Sequence, residues 1–502
     1  MNKVKIVCIA ISLAVAETVS AGGLLTNTNQ NIAFLRNPAR DGAIGIDGVY
    51  SNPAGVVFLG EGLHLSLNFQ NAHQTRTVKT GFPSFVYNVN NKGLGTHEYE
   101  GKADAPVAPS LQAAYNKGKW SFQFGFAITG GGGKCEFDGG LGSFEKVVAG
   151  VTSYGPTINS LYQSLGAQGI PDMANHSMGK GYSYNSFMRG RQYYYGFTLG
   201  AAYKVTDNLS VYGGLRMLYG SANYYGYVKD INIEHINNGT STMVPASQHF
   251  AELSLQLNKY AGALEQAGKP QAAEELTKRA NEVLALSLGT QDIELNCDQT
   301  GWGVAPIIGV DYKWGKLNLA AKYEFKTRMR LKNKSANSLS AKGISLLDKY
   351  ADGETVAEDS PAMLTVGAQY EILPSLRVNA GWHHFFDVDA KQYTKDMLSD
   401  TNEYLFGVEY DINKRIQISA GGQRTQFAMK DQGMNDISFN TNSYSVGIGV
   451  GVNVTEKIKV NAAYFQSIYD DYDMAEGTAP AITTNSFTRT NRVIGLGVDF
   501  KL

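Results

Sequence analysis

The feature of this chain that most restricts its fold is a repeated alternation of apolar residues with glycine or polar residues. In the last segment, 494–502, every even-numbered residue is apolar and every odd-numbered residue is glycine or charged. A period of two predicts a β-strand with one apolar face. The same pattern occurs at 63–70, 120–129, 192–205, 317–326 and 444–454. The sequence therefore predicts an all-β protein.

The alternating segments come in pairs joined by short polar turns. These turns lie at 116–119, 206–208, 314–316, 373–375, 412–415 and 454–456. Six hairpins, one strand before them and one strand after them make fourteen strands, an even number, as in bacterial outer-membrane barrels. The longer connections lie at about 79–105, 131–189, 236–292, 333–359, 392–401, 430–438 and 471–487. We expect the long connections, above all 131–189 and 236–292, to be extracellular.

A soluble β-sandwich would also bury one apolar face of each strand. The segments here are about 10 to 15 residues long, however, whereas strands of globular proteins average about 5 to 6. Aromatic residues also gather near the segment ends, as the interfacial girdles of a membrane barrel require. We therefore predict a 14-stranded antiparallel transmembrane β-barrel over residues 62–502.

Residues 1–21 resemble a secretory signal peptide. Lys3 and Lys5 form a basic start, 6–16 is apolar, and small residues precede a cut after Ala21. The mature chain would keep only Cys135 and Cys297, and whether they pair stays open. With 18% charged residues and a net charge of −1, the composition gives no reason to expect nucleic acid as a partner.

The connection at 236–292 shows a helical period. Apolar residues recur three or four apart from Phe250 to Leu264, Gly268-Lys269-Pro270 interrupts them, and 272–288 resumes the pattern. This predicts a helical hairpin. Its apolar faces either pack on the barrel rim or form a landing surface for an apolar ligand.

A barrel of fourteen strands is too wide to be filled by its own side chains. Residues 22–61 precede the first strand, have no period of two and include Pro38 and Pro53. Their length and composition predict a small plug inside the lumen, called the hatch below.

The hatch carries a sequence pattern: Gly22-Gly23, then Gly42, Gly45 and Gly48, then Ser51-Asn52-Pro53-Ala54-Gly55 just before the first strand. In this position the pattern resembles the FadL/TodX family of outer-membrane transporters for fatty acids and other hydrophobic compounds. The resemblance implies a plugged 14-stranded barrel in the outer membrane of a Gram-negative bacterium. Ligand would enter an apolar groove among the extracellular loops, reach the lumen, and leave sideways through the wall at a kinked third strand.

The resemblance directs attention to two sets of residues. Asn52, Pro53, Ala54 and Gly55 should hold the hatch in shape, because proline restricts the backbone and asparagine bonds to nearby amides. The third strand contains Gly125 and then Gly130-Gly131-Gly132-Gly133. Glycines tolerate a bulge and weaken strand pairing, so the kink could lie at Gly125 or at Gly130 and Gly131. A flexible loop start would explain the glycine run equally well.

The family's pocket places a basic side chain against the carboxylate of the ligand. Strand parity puts several basic residues inside the barrel, and these are candidate ligand contacts: Arg216, Lys322, Lys326, Arg328, Arg377 and His383, with Phe385 as an apolar contact. A cation in a partly dry pocket would orient an acid. The alternative is an ordinary polar lining of the lumen.

No catalytic, metal-binding or cofactor motif stands out, so we expect neither an enzyme nor a cofactor. The favoured function is passive transport of hydrophobic small molecules of the long-chain fatty acid type. The alternatives are a general diffusion porin, or a surface receptor for a hydrophobic ligand such as haem or lipid. We expect a monomer in the outer-membrane bilayer, inserted by the barrel assembly machinery.

Overall fold

The structure is a computed structural model that describes residues 30–168, 170, 173–338, 348–391, 399–427, 429–436 and 439–502. The predicted signal peptide, 1–21, and the first eight residues of the predicted hatch, 22–29, lie outside the described residues.

Fourteen long strands form one continuous antiparallel sheet. They are β1 (Gly62–Gly81), β2 (Thr96–Lys117), β3 (Trp120–Phe137), β4 (His176–Lys204), β5 (Leu209–Asn237), β7 (Ile293–Trp314), β8 (Leu317–Glu324), β11 (Ala362–Leu373), β12 (Leu376–Phe386), β13 (Thr401–Asp411), β14 (Ile416–Gln426), β15 (Ser443–Asn453), β16 (Ile458–Tyr469) and β18 (Thr483–Lys501). Four shorter strands extend the long connections: β6 (Thr240–Pro245), β9 (Arg330–Ser335), β10 (Thr355–Ala357) and β17 (Tyr472–Glu476).

The sheet closes on itself because its first and last long strands pair. The ladder between β1 and β18 runs from His64 opposite Lys501 to Gly81 opposite Thr484. The remaining long strands each pair with the next in chain order. The predicted 14-stranded barrel is therefore confirmed, and all six predicted hairpin turns join neighbouring strands of the wall.

The wall has an apolar outside and a polar inside. On β7 the outward residues form an apolar band that ends in Trp302, 67% exposed, and Trp314, 69% exposed. Aromatic residues at both edges of such a band are typical of barrels that cross a membrane. Inward positions are polar and buried, for example Ser66, Asn68 and Gln123.

Residues 30–60 lie inside the barrel. They form a short helix, α1 (Ile32–Arg36), and two 3₁₀ turns, Ile46–Val49 and Gly55–Leu59. Glycines in the wall allow the hatch backbone to approach it closely. A Cβ on Gly367 would lie 2.4 Å from the amide nitrogen of Gly42, so a larger side chain at Gly367 would displace the hatch.

The long connections form a helical cap over one end of the barrel. Its helices are α2 (Gly142–Gly150), α3 (Gly155–Ala167), α4 (Ala246–Gln266) and α5 (Pro270–Gly289). The last two are the predicted helical hairpin, and Phe250 and Leu257 of α4 belong to the large apolar core of the cap. None of the described helices is both long and apolar enough to cross a membrane.

The connection after β3 is shorter than predicted. Strand pairing continues beyond the apolar band, so β3 reaches Phe137 and β4 starts at His176. The connection therefore covers 138–175 and not 131–189. The local pattern missed these extensions because outward residues there are polar, as expected for a wall that has left the membrane.

Candidate functional site

The hatch is attached to the wall at the predicted Asn-Pro-Ala turn. The side-chain oxygen of Asn52 accepts a hydrogen bond from the Gly55 amide at 3.1 Å, which closes the turn. Its side-chain nitrogen donates to Oδ2 of Asp311 on β7 at 2.6 Å. Asn318 of β8 donates to the same carboxylate oxygen at 2.7 Å. Asn52 thus shapes the hatch and also ties it to two strands.

The backbone of the same turn bonds to two further strands. Gln123 of β3 donates to the carbonyl of Pro53 at 2.8 Å, and Ser210 of β5 donates to the carbonyl of Ala54 at 2.7 Å. Proline has no backbone donor, so the turn is held through its carbonyl oxygens. Asn52, Pro53 and Ala54 therefore bond to the wall on three different strands, β7, β3 and β5.

Two predicted ligand contacts, Arg216 and Lys322, meet at one acid. Glu324 of β8 accepts a hydrogen bond from Arg216, and Lys322 Nζ lies 2.6 Å from its other oxygen. Lys322 also donates to the backbone carbonyl of Tyr50 in the hatch at 2.7 Å. Both cations lie 4.8 Å from the centre of the Tyr50 ring. This cluster neutralises the cations internally and holds the hatch.

His383 lies between two carboxylates. Its Nε2 is 2.9 Å from Asp41 of the hatch, and its Nδ1 is 2.8 Å from Glu403 of β13. Phe385 is fully buried two residues along β12 and packs edge-on to the His383 ring. This second cluster links hatch and wall in the same way as the first.

Arg377, the remaining predicted contact, belongs to a third cluster. It forms two hydrogen bonds with Asp411, at 2.8 and 2.9 Å, and lies 3.5 Å from Glu409. Glu409 also accepts a 2.6 Å bond from Arg40 of the hatch, which binds Asp47 at 2.7 Å. Four of the predicted basic contacts thus have carboxylate partners, namely Arg216, Lys322, Arg377 and His383. Their role as ligand contacts stays a prediction.

Arg328 does not face the lumen as parity suggested. Glu324 and Thr327 are both buried, so one extra residue sits between two inward positions and the alternation shifts. Arg328 is consequently exposed, and Lys326 is half-buried and donates to the backbone carbonyl of Asp389 at 2.7 Å. Strict parity failed here because the strand is interrupted between β8 and β9.

The third strand loses its pairing with the second over several residues. Leu111 of β2 is opposite Phe126 of β3, and the next pair is Ala103 opposite Cys135. Between them, 104–110 and 127–134 form no β2–β3 pairs. We call this interruption the wall gap. Elsewhere each of the two strands pairs with a neighbour on both sides, so over the wall gap strand pairing does not join β2 to β3.

The glycine run lies at the wall gap, whereas Gly125 lies below it. Gly125 keeps regular partners on both sides, Gln112 and Thr198. Register shifts toward β4 fall between Ile128 and Gly133. Gly131 has a φ of +99°, and a Cβ there would lie 2.2 Å from the Gln192 carbonyl oxygen. Glycine is thus required at Gly131, and the irregularity of the strand starts beyond Gly125.

Gln30 of the hatch bridges the wall gap. Its side-chain amide donates to the Ile128 carbonyl at 2.8 Å and accepts from the Ile128 amide at 2.9 Å. Its own backbone carbonyl accepts hydrogen bonds from Gln70 of β1 and Ser110 of β2, at 2.9 and 3.2 Å. One hatch residue therefore replaces the missing strand contact at Ile128 and joins both sides of the gap.

A groove of about 680 Å³ lies in the cap between α3 and α5. Its apolar lining includes Ile158, Leu161, Leu264, Leu276, Val283 and Leu286. Glu275, Arg279 and Glu282 add charged groups to the lining. The groove has the size of a small-molecule site, and it adjoins the apolar core of the cap.

Several segments of the cap form hydrogen bonds to one buried acid, Glu145 of α2. Its carboxylate accepts hydrogen bonds from Asn88 at 2.8 Å, from Tyr182 at 3.0 Å and from Tyr99. Burial would raise the pKa of Glu145, but hydrogen bonds from His97, Asn88 and Tyr99 lower it below its usual value. The charged form therefore joins the β1–β2 connection, α2 and β4.

Three histidines, His176, His235 and His249, lie in contact where the β3–β4 and β5–β7 connections meet. His176 Nδ1 lies 2.9 Å from His235 Nε2, and the His235 and His249 rings are 4.6 Å apart. His249 Nε2 lies 3.0 Å from the hydroxyl of Tyr162 on α3. Burial, then His235 and His176, lower the pKa of His249 to about 4. Among the described residues, no group of His, Cys, Asp or Glu is arranged to hold a metal ion.

Cys135 of β3 and Cys297 of β7 are both free thiols, the first half-buried and the second buried. The pairing that the sequence left open does not occur in this structure.

Comparisons with known proteins agree with this architecture. A family model described as an outer membrane protein beta-barrel domain matches residues 270–501. A Pseudomonas aeruginosa FadL homologue aligns over 96% of this chain and 100% of its own, with a TM-score of 0.61 and 12% identity. The Pseudomonas putida toluene transporter TodX aligns over 97% and 100%, with a TM-score of 0.51 and 16% identity. The chain has the fold of the FadL/TodX transporters. No curated protein matches by sequence.

The FadL/TodX fold and the barrel match make this an outer-membrane protein that crosses the bilayer with strands. Of these two solved neighbours, TodX is described as a toluene transporter and the other as a FadL homologue. The roles predicted for the hatch turn and the glycine run stay predictions, and sequence reasoning missed the acids that neutralise the lumen cations. Glu324, Glu403 and Glu409 occupy inward positions on the same parity as the cations, so pairing each inward base with an inward acid would have found them.

Proposed function

We propose that this protein carries hydrophobic small molecules passively across the outer membrane and releases them sideways through the wall gap. The observation that supports this most strongly is the combination of a plugged lumen with an interrupted wall between β2 and β3. A hydrophobic molecule that leaves through the wall enters hydrocarbon directly and avoids water. One structural neighbour is a toluene transporter and another is a FadL homologue, which favours the same class of cargo.

The first proposed step is capture in the cap groove. Its lining is apolar along Ile158, Leu276 and Val283, and charged side chains stand beside it. Such a surface suits a molecule with a long or aromatic apolar body. The helical hairpin thus serves both interpretations at once, because Leu276, Val283 and Leu286 belong to the cap core and also line the groove.

The last proposed step is exit through the wall gap, which Gln30 bridges. In the bound position its amide pairs with Ile128, and its carbonyl holds Ser110. Movement of the hatch N-terminal residues would break these bonds together and free the gap. Pro106 and Pro109 of β2 lack backbone donors, which weakens strand pairing across the gap.

An open diffusion porin is disfavoured because three ion-pair clusters hold the hatch across the lumen. A surface receptor would need the cap but not the wall gap. We propose a monomer that the barrel assembly machinery inserts, since the closed wall leaves no strand edge to share with another copy.

Uptake in cells that lack their own hydrophobic-compound transporters tests the proposal. Radiolabelled oleate and toluene would be given to cells with the intact protein, with a variant lacking residues 22–60, or with empty vector. We expect uptake of at least one compound with the intact protein and none with the empty vector, whereas the variant without the hatch should admit large water-soluble solutes that the intact protein excludes. No uptake of either, with the folded barrel at the surface, would contradict transport of both classes.

A cysteine pair tests the sideways exit. Ala108→Cys with Thr129→Cys places two inward thiols on opposite sides of the wall gap, in a background with both native cysteines changed to serine. The control pair, Ser445→Cys with Ser467→Cys, joins direct neighbours in an intact ladder, whose hydroxyls are 2.9 Å apart.

Oxidation should stop uptake for the gap pair and leave it unchanged for the control pair, and reduction should restore it. Full uptake with the gap pair cross-linked would show that the cargo takes another route.

A further inference from the structure

A row of cations runs along the outer surface of the wall between β8 and the tip of β9. Lys326, Arg328, Arg330, Lys332 and Lys334 alternate with buried residues that face inward, namely Thr327, Met329, Leu331 and Asn333. The last four of these cations are exposed. The segment 326–334 contains no acidic residue. We call Arg328, Arg330, Lys332 and Lys334 the cationic stripe.

The stripe begins where the apolar band ends. On the neighbouring strand β7, Trp302 is the aromatic residue at the cap-side edge of the band. Lys332 lies opposite Thr300, and Lys334 lies opposite Asp298, both just beyond Trp302 toward the cap. Aromatic residues in such positions mark the level of the lipid headgroups. The stripe is therefore at or just above the headgroups of the outer leaflet.

Three of the four cations have no ion-pair partner among the residues that the structure describes. Arg330 forms a 2.6 Å ion pair with Asp359, a buried acid. Within the described part of the chain, Arg328, Lys332 and Lys334 form no ion pair within 4 Å, and the carboxylate opposite Lys334, Asp298, accepts a bond from Asn223. In the lumen, by contrast, acids neutralise the cations of all three clusters. The stripe is thus charged on the side that faces lipid.

We propose that the cationic stripe binds the phosphate groups of lipopolysaccharide, the phosphorylated glycolipid of the outer leaflet. Cations at alternate positions of one strand are about 7 Å apart, so one headgroup with two phosphates and its neighbour would contact several of them. Guanidinium and ammonium groups form charge-assisted hydrogen bonds to phosphate oxygens. Basic groups at headgroup level attract anionic lipid strongly. This interaction is independent of the transported cargo.

The test compares the full-length protein with a triple variant, Arg328→Gln, Lys332→Gln and Lys334→Gln. Arg330 is kept, because its loss would leave Asp359 buried without its cation. The matched control removes three cations from the short turns at the opposite end of the barrel: Lys414→Gln, Arg415→Gln and Lys457→Gln, all exposed.

Binding of lipid A, enzymatically dephosphorylated lipid A and phosphatidylglycerol to detergent-solubilised protein would be titrated by a fluorescent-lipid assay at several salt concentrations. Folding is verified by the faster gel migration of unheated barrels.

We expect the triple variant to bind lipid A about 100-fold more weakly than the unmodified protein, from about one kcal/mol per cation near a charged membrane surface. The control variant should bind unchanged, and dephosphorylated lipid A should not distinguish the proteins. Equal lipid A affinity of the folded triple variant and the unmodified protein would overturn the proposal. If the unmodified protein bound phosphatidylglycerol as tightly as lipid A, the assignment to the glycolipid would be overturned.

Discussion

Removing Arg40 should loosen the hatch without unfolding the barrel. The guanidinium of Arg40 is buried and donates to Asp47 at 2.7 and 3.0 Å and to Glu409 at 2.6 Å. It therefore joins two parts of the hatch to strand β13. Arg40→Ala leaves two carboxylates in a buried site without the cation that neutralised both.

Breaking a buried ion pair by removing one partner costs about 3–5 kcal/mol. Because 1.4 kcal/mol corresponds to a factor of ten, the population with the hatch displaced should rise about 140- to 4,000-fold. The wall itself keeps its ladders, so the effect should appear as local opening and not as global unfolding.

Single-channel recording in planar bilayers measures this opening, and the sensitivity of cells to a large antibiotic gives an independent readout. We expect frequent openings with Arg40→Ala and almost none with the unmodified protein. Arg377→Ala is the matched control: it also removes a cation near Glu409, but it leaves the hatch bond from Arg40 in place. A closed Arg40→Ala barrel that migrates as folded would refute this ion pair as a restraint on the hatch.

Three further outcomes are expected. Gly367→Val should also increase conductance, because the new side chain would collide with the hatch at Gly42. Unchanged conductance would mean that the hatch accommodates the larger side chain without being displaced. Leu276→Glu in the groove should raise the KM of uptake about tenfold or more, whereas Leu255→Glu, on an exposed part of α4, should not; equal effects would exclude capture in the groove. The pKa of His249 is lowered from 6.5 in the unfolded chain to about 4 in the folded cap. Between these two values the unfolded chain binds a proton that the folded cap does not. The free energy of unfolding of the cap is therefore highest above about pH 6.5 and falls as the pH drops toward 4. Protease resistance of the helical hairpin should follow that profile, and His249→Gln should flatten it; an unaltered profile in the variant would contradict the assignment.

The wall was predictable because its information is local. Alternation of apolar and polar residues identifies the strands, and short polar turns identify the hairpins. Both signals can be recognised from residues that are neighbours in the sequence. The hatch turn at Asn52 and Pro53 and the helical hairpin were predictable for the same reason. The strand ends above the membrane were not, since apolar inward residues there, such as Met178 and Tyr182, pack in the cap core and are separated by register shifts that break the alternation.

The candidate site was less predictable because it depends on pairs distant in sequence. The role of His383 depends on its contacts with Asp41 and Glu403, and the role of Arg216 depends on its ion pair with Glu324. Parity shows that these side chains face the lumen, but not which one meets which. Arg328 shows the limit of parity itself, since a single extra residue after Glu324 moved it to the outside.

The sequence by itself determined a closed, fourteen-stranded barrel with a plug and a helical hairpin in one extracellular connection, because the alternation of apolar residues and the chemistry of turns depend on only a few neighbouring residues. Only the tertiary structure decided which charges neutralise each other in the lumen, that the break in the third strand falls at the glycine run, and that Gln30 bridges it. Those features arise where chain segments up to several hundred residues apart meet, and Coulomb energy and hydrogen-bond geometry there depend on distances that no local pattern contains.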